Sequence, residues 1–168
     1  MRLLIIGENP GSPEEQETPP QEWPIFRVLD SWLFRAGWKR GEVFTLPYVN
    51  VYPTYLPDGF GGYRTPTRDE VYEQAHLVDE VIREVEPEGA ITLGVLATWA
   101  MVPNVRHFME KDGGSQYRCV RAGHTFPVIP FPHPSERNRI FLEPAGSEAV
   151  ARGIETLSRL KARVEAYN

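Results

Sequence analysis

The chain reads as an α/β protein: a three-layer α/β/α arrangement around a central, mostly parallel sheet of four to five strands. Two observations predict it. Short apolar runs alternate with longer segments whose apolar residues recur at helical spacing, and this β-α-β-α-β-α order builds a parallel sheet covered by helices on both faces. The composition agrees, with 41% hydrophobic and 24% charged residues among 168, which suits one globular domain, residues 1–168, around one core.

Leu3–Ile6 is the first strand, wholly apolar. The polar, proline-rich stretch from Gly11 to about Glu22 reads as a loop. Ile25, Val28, Leu29, Trp32 and Leu33 follow at helical spacing, and Gly37 ends that helix. Phe44–Val51 is β-rich and apolar, a second strand. Pro53–Pro66 is loop. Thr67-Arg68-Asp69-Glu70 has the form of a capping box. Val71, Ala75, Val78, Ile82 and Val85 then carry one helix forward on a single face. Ala90–Leu93 is a short buried strand, and Gly94 turns it into a helix from about Val95 to Met101. Tyr117–Val120 and Pro127–Phe131 are strands, and Val150, Ile154, Leu157, Leu160 and Val164 mark a long C-terminal helix. Most aromatics, Trp99 and Tyr117 among them, are expected in the core.

Several function classes drop out. No apolar run approaches the roughly 20 residues that span a bilayer, and one Arg, a short apolar run and then Gly-Glu-Asn make a poor signal peptide. No membrane partner and a cytoplasmic location are therefore expected, with a monomer as the expected state. Cys119 is the only cysteine, so these residues offer no internal disulfide, no thiolate zinc site and no cysteine-bound cluster. It is most simply a small core residue. The four His show no paired spacing with carboxylates. No cofactor is expected. The net charge of −5 argues mildly against nonspecific nucleic-acid binding, although phosphate contacts need local rather than total charge. Only Lys39, Lys111 and Lys161 of the 18 basic residues are Lys. An Arg excess suits bidentate phosphate contacts, and it equally fits a compositional bias of the genome.

Two polar loops leave predicted strands. Gly7-Glu8-Asn9-Pro10-Gly11 follows the first strand, and His133-Pro134-Ser135 follows Pro127–Phe131. In an open α/β sheet such loops meet at the carboxyl ends of the strands, where ligands bind. An Asn in one and a His in the other make a candidate hydrolytic pair. Gly7 and Gly11 permit close backbone approach to a ligand, and a plain strand-to-helix turn would use the same residues. The loop is neither a dinucleotide fingerprint nor a P-loop. Flanking prolines fix the backbone at His133, which suits a pre-aimed side chain; a structural His is the simpler alternative. Asn50 ends the second strand and belongs on the same rim. Its amide offers a donor and an acceptor, matching the edge of a pyrimidine, or it closes a turn. Glu8 and Glu14 are candidate carboxylates beside Asn9 or solvated loop charges, and Glu14 and Glu15 read more simply as solvated charges. Arg64 and Arg68 are solvated charges or phosphate contacts.

These motifs resemble the uracil-DNA glycosylase superfamily over most of the chain. Gly7–Gly11 is similar to the first motif of the single-strand-selective and mismatch-specific branches, where Gly-x-Asn-Pro-Gly carries the catalytic Asn. His133-Pro134-Ser135-Glu136-Arg137-Asn138 resembles the second motif, His-Pro-Ser-Pro-Arg-Asn. Asn50-Val51-Tyr52-Pro53, followed by Thr65-Pro66, resembles the segment holding the uracil-reading Asn. Trp32-Leu33 matches an Asp-Trp-Leu helix, a register that puts Trp23 where the family stacks an aromatic, usually Phe, on the base; Phe26 is the fallback. Leu93-Gly94-Val95-Leu96-Ala97 resembles a Leu-Gly-x-x-Ala segment of the iron–sulfur branches, and Glu8 with Glu14-Glu15 echoes their Gly-Glu-Ala-Pro-Gly-x-x-Glu-Asp pattern. The four cluster cysteines of those branches are absent, Glu136 stands where a proline is usual, and Trp23 replaces Phe.

The resemblance implies a monofunctional glycosylase that hydrolyses the N-glycosidic bond of uracil, or another deaminated base, in DNA. The base is flipped out, stacked by Trp23 and read by Asn50. His133 donates to the base oxygen where charge develops, and Asn9 holds the attacking water. Gly7, Glu8, Pro10, Gly11 and Ser135 complete the pocket, while Arg137, Asn138 and Arg139 enter the minor groove with neighbouring apolar residues. A lyase would need an amine nucleophile, and no Lys falls in a motif. The alternatives are a catalytically silent relative that binds nucleic acid or a nucleotide, and a glycosidase for free nucleosides or for hypoxanthine or xanthine.

Overall fold

Five strands form one sheet in the order β2-β1-β3-β5-β4. The computed structural model describes residues 1–103, 105, 112–135 and 144–167. Strands β1 (Leu3–Gly7), β2 (Tyr48–Asn50), β3 (Gly89–Leu93) and β5 (His124–Phe131) run parallel, and β4 (Tyr117–Arg121) pairs antiparallel with β5. Every residue of β1 and β3 is buried, as expected for central parallel strands covered on both faces.

Alternate residues of these strands feed two cores. Leu3, Ile5, Ile91, Leu93, Ile129 and Phe131 pack against α2 (Ile25–Arg35) and α6 (Pro144–Tyr167). Leu4, Ile6, Ala90 and Val128 face the layer of α3 (Arg68–Glu73), α4 (Ala75–Val85) and α5 (Val95–Met101). The result is the expected three-layer α/β/α architecture.

Several element boundaries differ from the sequence reading; β5, for one, begins at His124 rather than Pro127. The second strand is only Tyr48–Asn50, and Glu42–Thr45 is a 3-10 turn instead. Pro47 has no N–H for a ladder, and only its carbonyl joins the sheet, accepting from Ile5 N at 2.9 Å. The Gly11–Glu22 loop contains α1 (Pro13–Glu17) and a 3-10 turn, Pro20–Glu22. Ser12 caps α1 by accepting from Glu15 N at 3.1 Å, and Pro13 sits at the first helical position, where its missing N–H costs nothing. The helix after Thr67 is two helices, broken at Gln74, without a proline or glycine to mark the break. The Thr67–Glu70 capping box itself is formed. Trp99 and Tyr117 are half-buried rather than core, whereas Cys119 is buried.

Candidate active site

Four parallel strands bring the ends of β1, β2, β3 and β5 to one rim. A cavity of about 360 Å³ opens there, lined by Glu8, Asn9, Gly11, Ser12, Glu15, Trp23, Pro24, Ile25, Tyr48, Tyr63, His133, Pro134 and Ser135. The two loops singled out from sequence therefore meet across a single cavity. Arg137, Asn138 and Arg139 lie outside the described residues.

Asn9 is buried, and its Nδ2 donates to the carbonyl oxygen of Pro10 at 3.2 Å and of Arg64 at 3.5 Å. These bonds orient the amide. Among the described residues no donor meets its Oδ1, which leaves an acceptor on the cavity wall. Pro10 is buried beside it. His133 follows β5 and is half-buried. Burial lowers its pKa from the usual value to about 4, because desolvation disfavours the imidazolium. At neutral pH the ring is uncharged, with one nitrogen donor and one acceptor.

The opposite wall is aromatic. Trp23 is buried, and its ring stands edge-on to Tyr48 with centroids 5.5 Å apart. Its Nε1 is buried without a partner among the described residues, an unusual state for an indole N–H. Phe26 is fully buried beneath Tyr48 and does not reach the cavity. Asn50 does not line it either. Tyr48 does, and its hydroxyl donates to Asn50 Oδ1 at 2.6 Å. Burial first, then the Glu15 and Glu8 carboxylates, hold the phenol far above its ordinary pKa, so Tyr48 keeps its proton. Gly7 sits directly across the ladder from Asn50. A Cβ on Gly7 would collide with the Tyr48 hydroxyl and come within 2.7 Å of Asn50 Oδ1, which explains the glycine by close approach.

The three acidic residues separate by role. Glu8 Oε1 accepts from Leu96 N at 3.0 Å, and burial raises its pKa against that bond. Gly94, at φ +93°, leaves space for this carboxylate. Glu15 accepts from Gly11 N at 2.7 Å and so ties the first loop to α1. Glu14 is exposed.

A hairpin closes the rim. Leu56 and Arg64 pair through Arg64 N→Leu56 O at 2.8 Å, and Tyr63 reaches the cavity. Arg64 forks onto Glu70 at 2.7 and 2.8 Å, holding that carboxyl at about 2. The Arg68 guanidinium lies over the Trp99 ring at 4.8 Å. Both Arg therefore have partners within the chain. Sequence reasoning missed Tyr48, Tyr63 and Ser12. Tyr48 had a signal, since it lies two residues before Asn50 and so on the same strand face. Tyr63 had none, because a loop residue has no periodicity to place it.

Among the described residues no group of three His, Cys, Asp or Glu is arranged to hold a metal ion. Cys119 is the single cysteine, buried on β4 with its thiol pKa raised by burial. These 168 residues lack the ligands for a four-thiolate iron–sulfur cluster. No helix among the described residues is long and apolar enough to cross a membrane.

Comparison with known proteins gives two findings. A relative, the Type-4 uracil-DNA glycosylase of Pyrobaculum aerophilum, is 29% identical over 117 residues, which cover 70% of this chain and 56% of that protein. The chain thus spans little more than half the relative's length. The family model described as the uracil DNA glycosylase superfamily matches residues 1–157, nearly the whole sequence. With this match and the motifs at the strand ends, the chain belongs to the uracil-DNA glycosylase superfamily.

Proposed function

We propose that the protein is a monofunctional DNA glycosylase that hydrolyses the N-glycosidic bond of uracil in DNA, with another deaminated base as the nearest variant. The observation that carries this reading is that Asn9 and His133, far apart in sequence, line one cavity with an aromatic wall.

A base inside a duplex is out of reach, so the target nucleotide is flipped at a cost of a few kcal/mol. The uracil ring packs against Trp23. Its polar edge meets Tyr48, whose proton is committed to Asn50 and whose lone pairs are left to accept the N3–H. Asn50 then acts behind Tyr48, or directly once that ring turns aside. As the glycosidic bond stretches, negative charge grows on the base oxygens and positive charge on the sugar. Neutral His133 donates to a base oxygen as that charge develops; one such donor typically contributes about 2.7–4 kcal/mol. Water attacks the anomeric carbon as the bond breaks, and the base leaves with the bonding electron pair. Asn9 is too weak a base to deprotonate water outright. Its Oδ1 positions the water, which suffices when the sugar is already cationic. Glu8 stands beside Asn9 as a carboxylate that can take the released proton. Gly11 and Ser135 complete the wall, and the proposed minor-groove contacts are Arg137, Asn138 and Arg139.

The test is base release from oligonucleotides carrying a single uracil, hypoxanthine, xanthine or ethenocytosine, single-stranded and paired, with free deoxyuridine alongside. Alkali then cuts at the abasic site. Release of uracil from DNA, with the free nucleoside untouched, is expected. Release of no base by folded protein that still binds DNA would identify a silent binding module.

A further inference from the structure

Phe60 is 96% exposed, the most exposed of the large apolar side chains described. It sits at the tip of the hairpin that closes the cavity rim. The tip is built rather than loose. Asp58 Oδ1 accepts from Phe60 N at 2.7 Å and from Gly62 N at 3.0 Å. Asp58 N donates to Gly62 O at 3.1 Å. The Tyr55 hydroxyl donates to the same Gly62 carbonyl at 2.8 Å, and Tyr55 N donates to Gln16 Oε1 of α1 at 2.6 Å. A Cβ on Gly62 would stand 2.6 Å from Asp58 Oδ2. The stem is joined to the site itself, since Tyr63 lines the cavity and the Arg64 carbonyl meets Asn9.

A phenylalanine held out in water by this many bonds gains nothing for the fold. Single exposed apolar side chains are common on protein surfaces; this one is set apart by a braced hairpin whose stem lines the cavity and meets Asn9. We infer that Phe60 is a DNA-contacting residue that stacks on a nucleobase flanking the one held in the cavity. Phe60 is three positions before Tyr63, so its Cα lies within about 10 Å of that of Tyr63, which lines the cavity. At about 3.4 Å per nucleotide along a strand, that reach covers up to about three neighbours of the target. Every base offers a π-face, so the contact is tolerant of sequence and suits an enzyme that must accept any flanking base. Tyr63, 40% exposed on the same hairpin, lines the cavity itself. The inference rests on the reading that the partner is DNA. It does not rest on catalysis.

The experiment measures the dissociation constant for a uracil-containing oligonucleotide, with 2-aminopurine placed in turn at each of the three positions on either side of the uracil. Phe60→Ala, Phe60→Trp and, as a control, Tyr72→Ala are compared with the unsubstituted chain; Tyr72 is 79% exposed on α3, outside the cavity lining. Stacking predicts roughly tenfold weaker binding in Phe60→Ala, restored by Trp, with the loss in KM larger than the loss in kcat. It also predicts 2-aminopurine quenching at one flanking position that depends on an aromatic at residue 60. Unchanged binding in Phe60→Ala, or an equal loss in Tyr72→Ala, would overturn the inference. Weaker binding by Phe60→Ala in a protein that releases no base would sink the glycosylase reading and leave this one standing. Base release with binding indifferent to residue 60 would do the reverse.

Discussion

Two cavities of nearly equal size lie in this molecule, about 360 and 390 Å³, and they have opposite characters. The first opens where four parallel strands end, and its wall holds an amide with an open acceptor, an uncharged imidazole and two carboxylates. The second lies between the α3–α5 layer and β4, and is lined by Val51, Val71, Val78, Trp99, Met101 and Cys119 among others. Its one charged group, Arg121, is spent on the fold: it pairs with Asp79 and donates to the carbonyls of Ala75 and Ala100. Volume therefore says little about function here. Position at the strand ends, and a wall rich in polar groups, say more.

Changes at the two cavities should separate rate from stability. The largest effect is expected for Asn9→Ala, which should lower single-turnover excision by two or more orders of magnitude while DNA affinity stays within a fewfold. Unchanged turnover would remove Asn9 from the chemistry. His133→Ala should cost about 10²–10³ in the chemical step; a His that merely supports the loop would show up instead as a lower melting temperature at near-normal rate.

On the other side, Arg121→Ala strips Asp79, the Ala75 and Ala100 carbonyls and Met101 Sδ of their donor and should cost about 3 kcal/mol. That corresponds to a melting temperature roughly 6–12 °C lower for a chain of this size, with kcat of the remaining folded protein unchanged. A selective loss of kcat would erase the distinction between the cavities. A smaller effect is expected of Tyr48→Phe, which deletes one hydroxyl and leaves the wall in place. It should raise KM for uracil-DNA about tenfold, the scale of one hydrogen bond to a neutral partner, and an unchanged KM would return base reading to Asn50 alone.

The smallest signal is electrostatic. His133 titrates near 4 in the folded chain against about 6.5 when unfolded. The unfolded chain thus binds the extra proton first, so this group's contribution to stability is complete above about pH 6.5 and is lost as pH falls toward 4. The imidazole resonances of His133 should show no titration between pH 8 and 5. Loss of kcat/KM as pH rises through about 6.5 would contradict an uncharged donor.

Much of this was legible in the sequence, for identifiable reasons. The buried strand β1 is a continuous apolar run, β3 is one interrupted only by Thr92, and the capping box at Thr67 is a local code, so all three appear in the structure where the sequence puts them. Asn9 and His133 were found because each follows such a run. What escaped was tertiary. Tyr48 stands in front of Asn50 only because Gly7 lacks a side chain across the ladder. Phe26 looked eligible for stacking because helical periodicity cannot distinguish a core position from a cavity wall. Within the Pro53–Pro66 loop, the hairpin at 56–64 carries no periodic signal, since its shape comes from Asp58 and Tyr55 bonding its own backbone.

The central claim is that the polar cavity, and not its apolar twin, receives the base. The most direct measurement is a crystal structure of the Asn9→Ala protein with an uncleaved uracil-containing oligonucleotide. The account predicts the uracil ring out of the helix and seated among Trp23, Tyr48 and His133, with His133 in hydrogen-bond reach of a base oxygen. A uracil still stacked in its strand, or one lying against Trp99 and Tyr72, would contradict it.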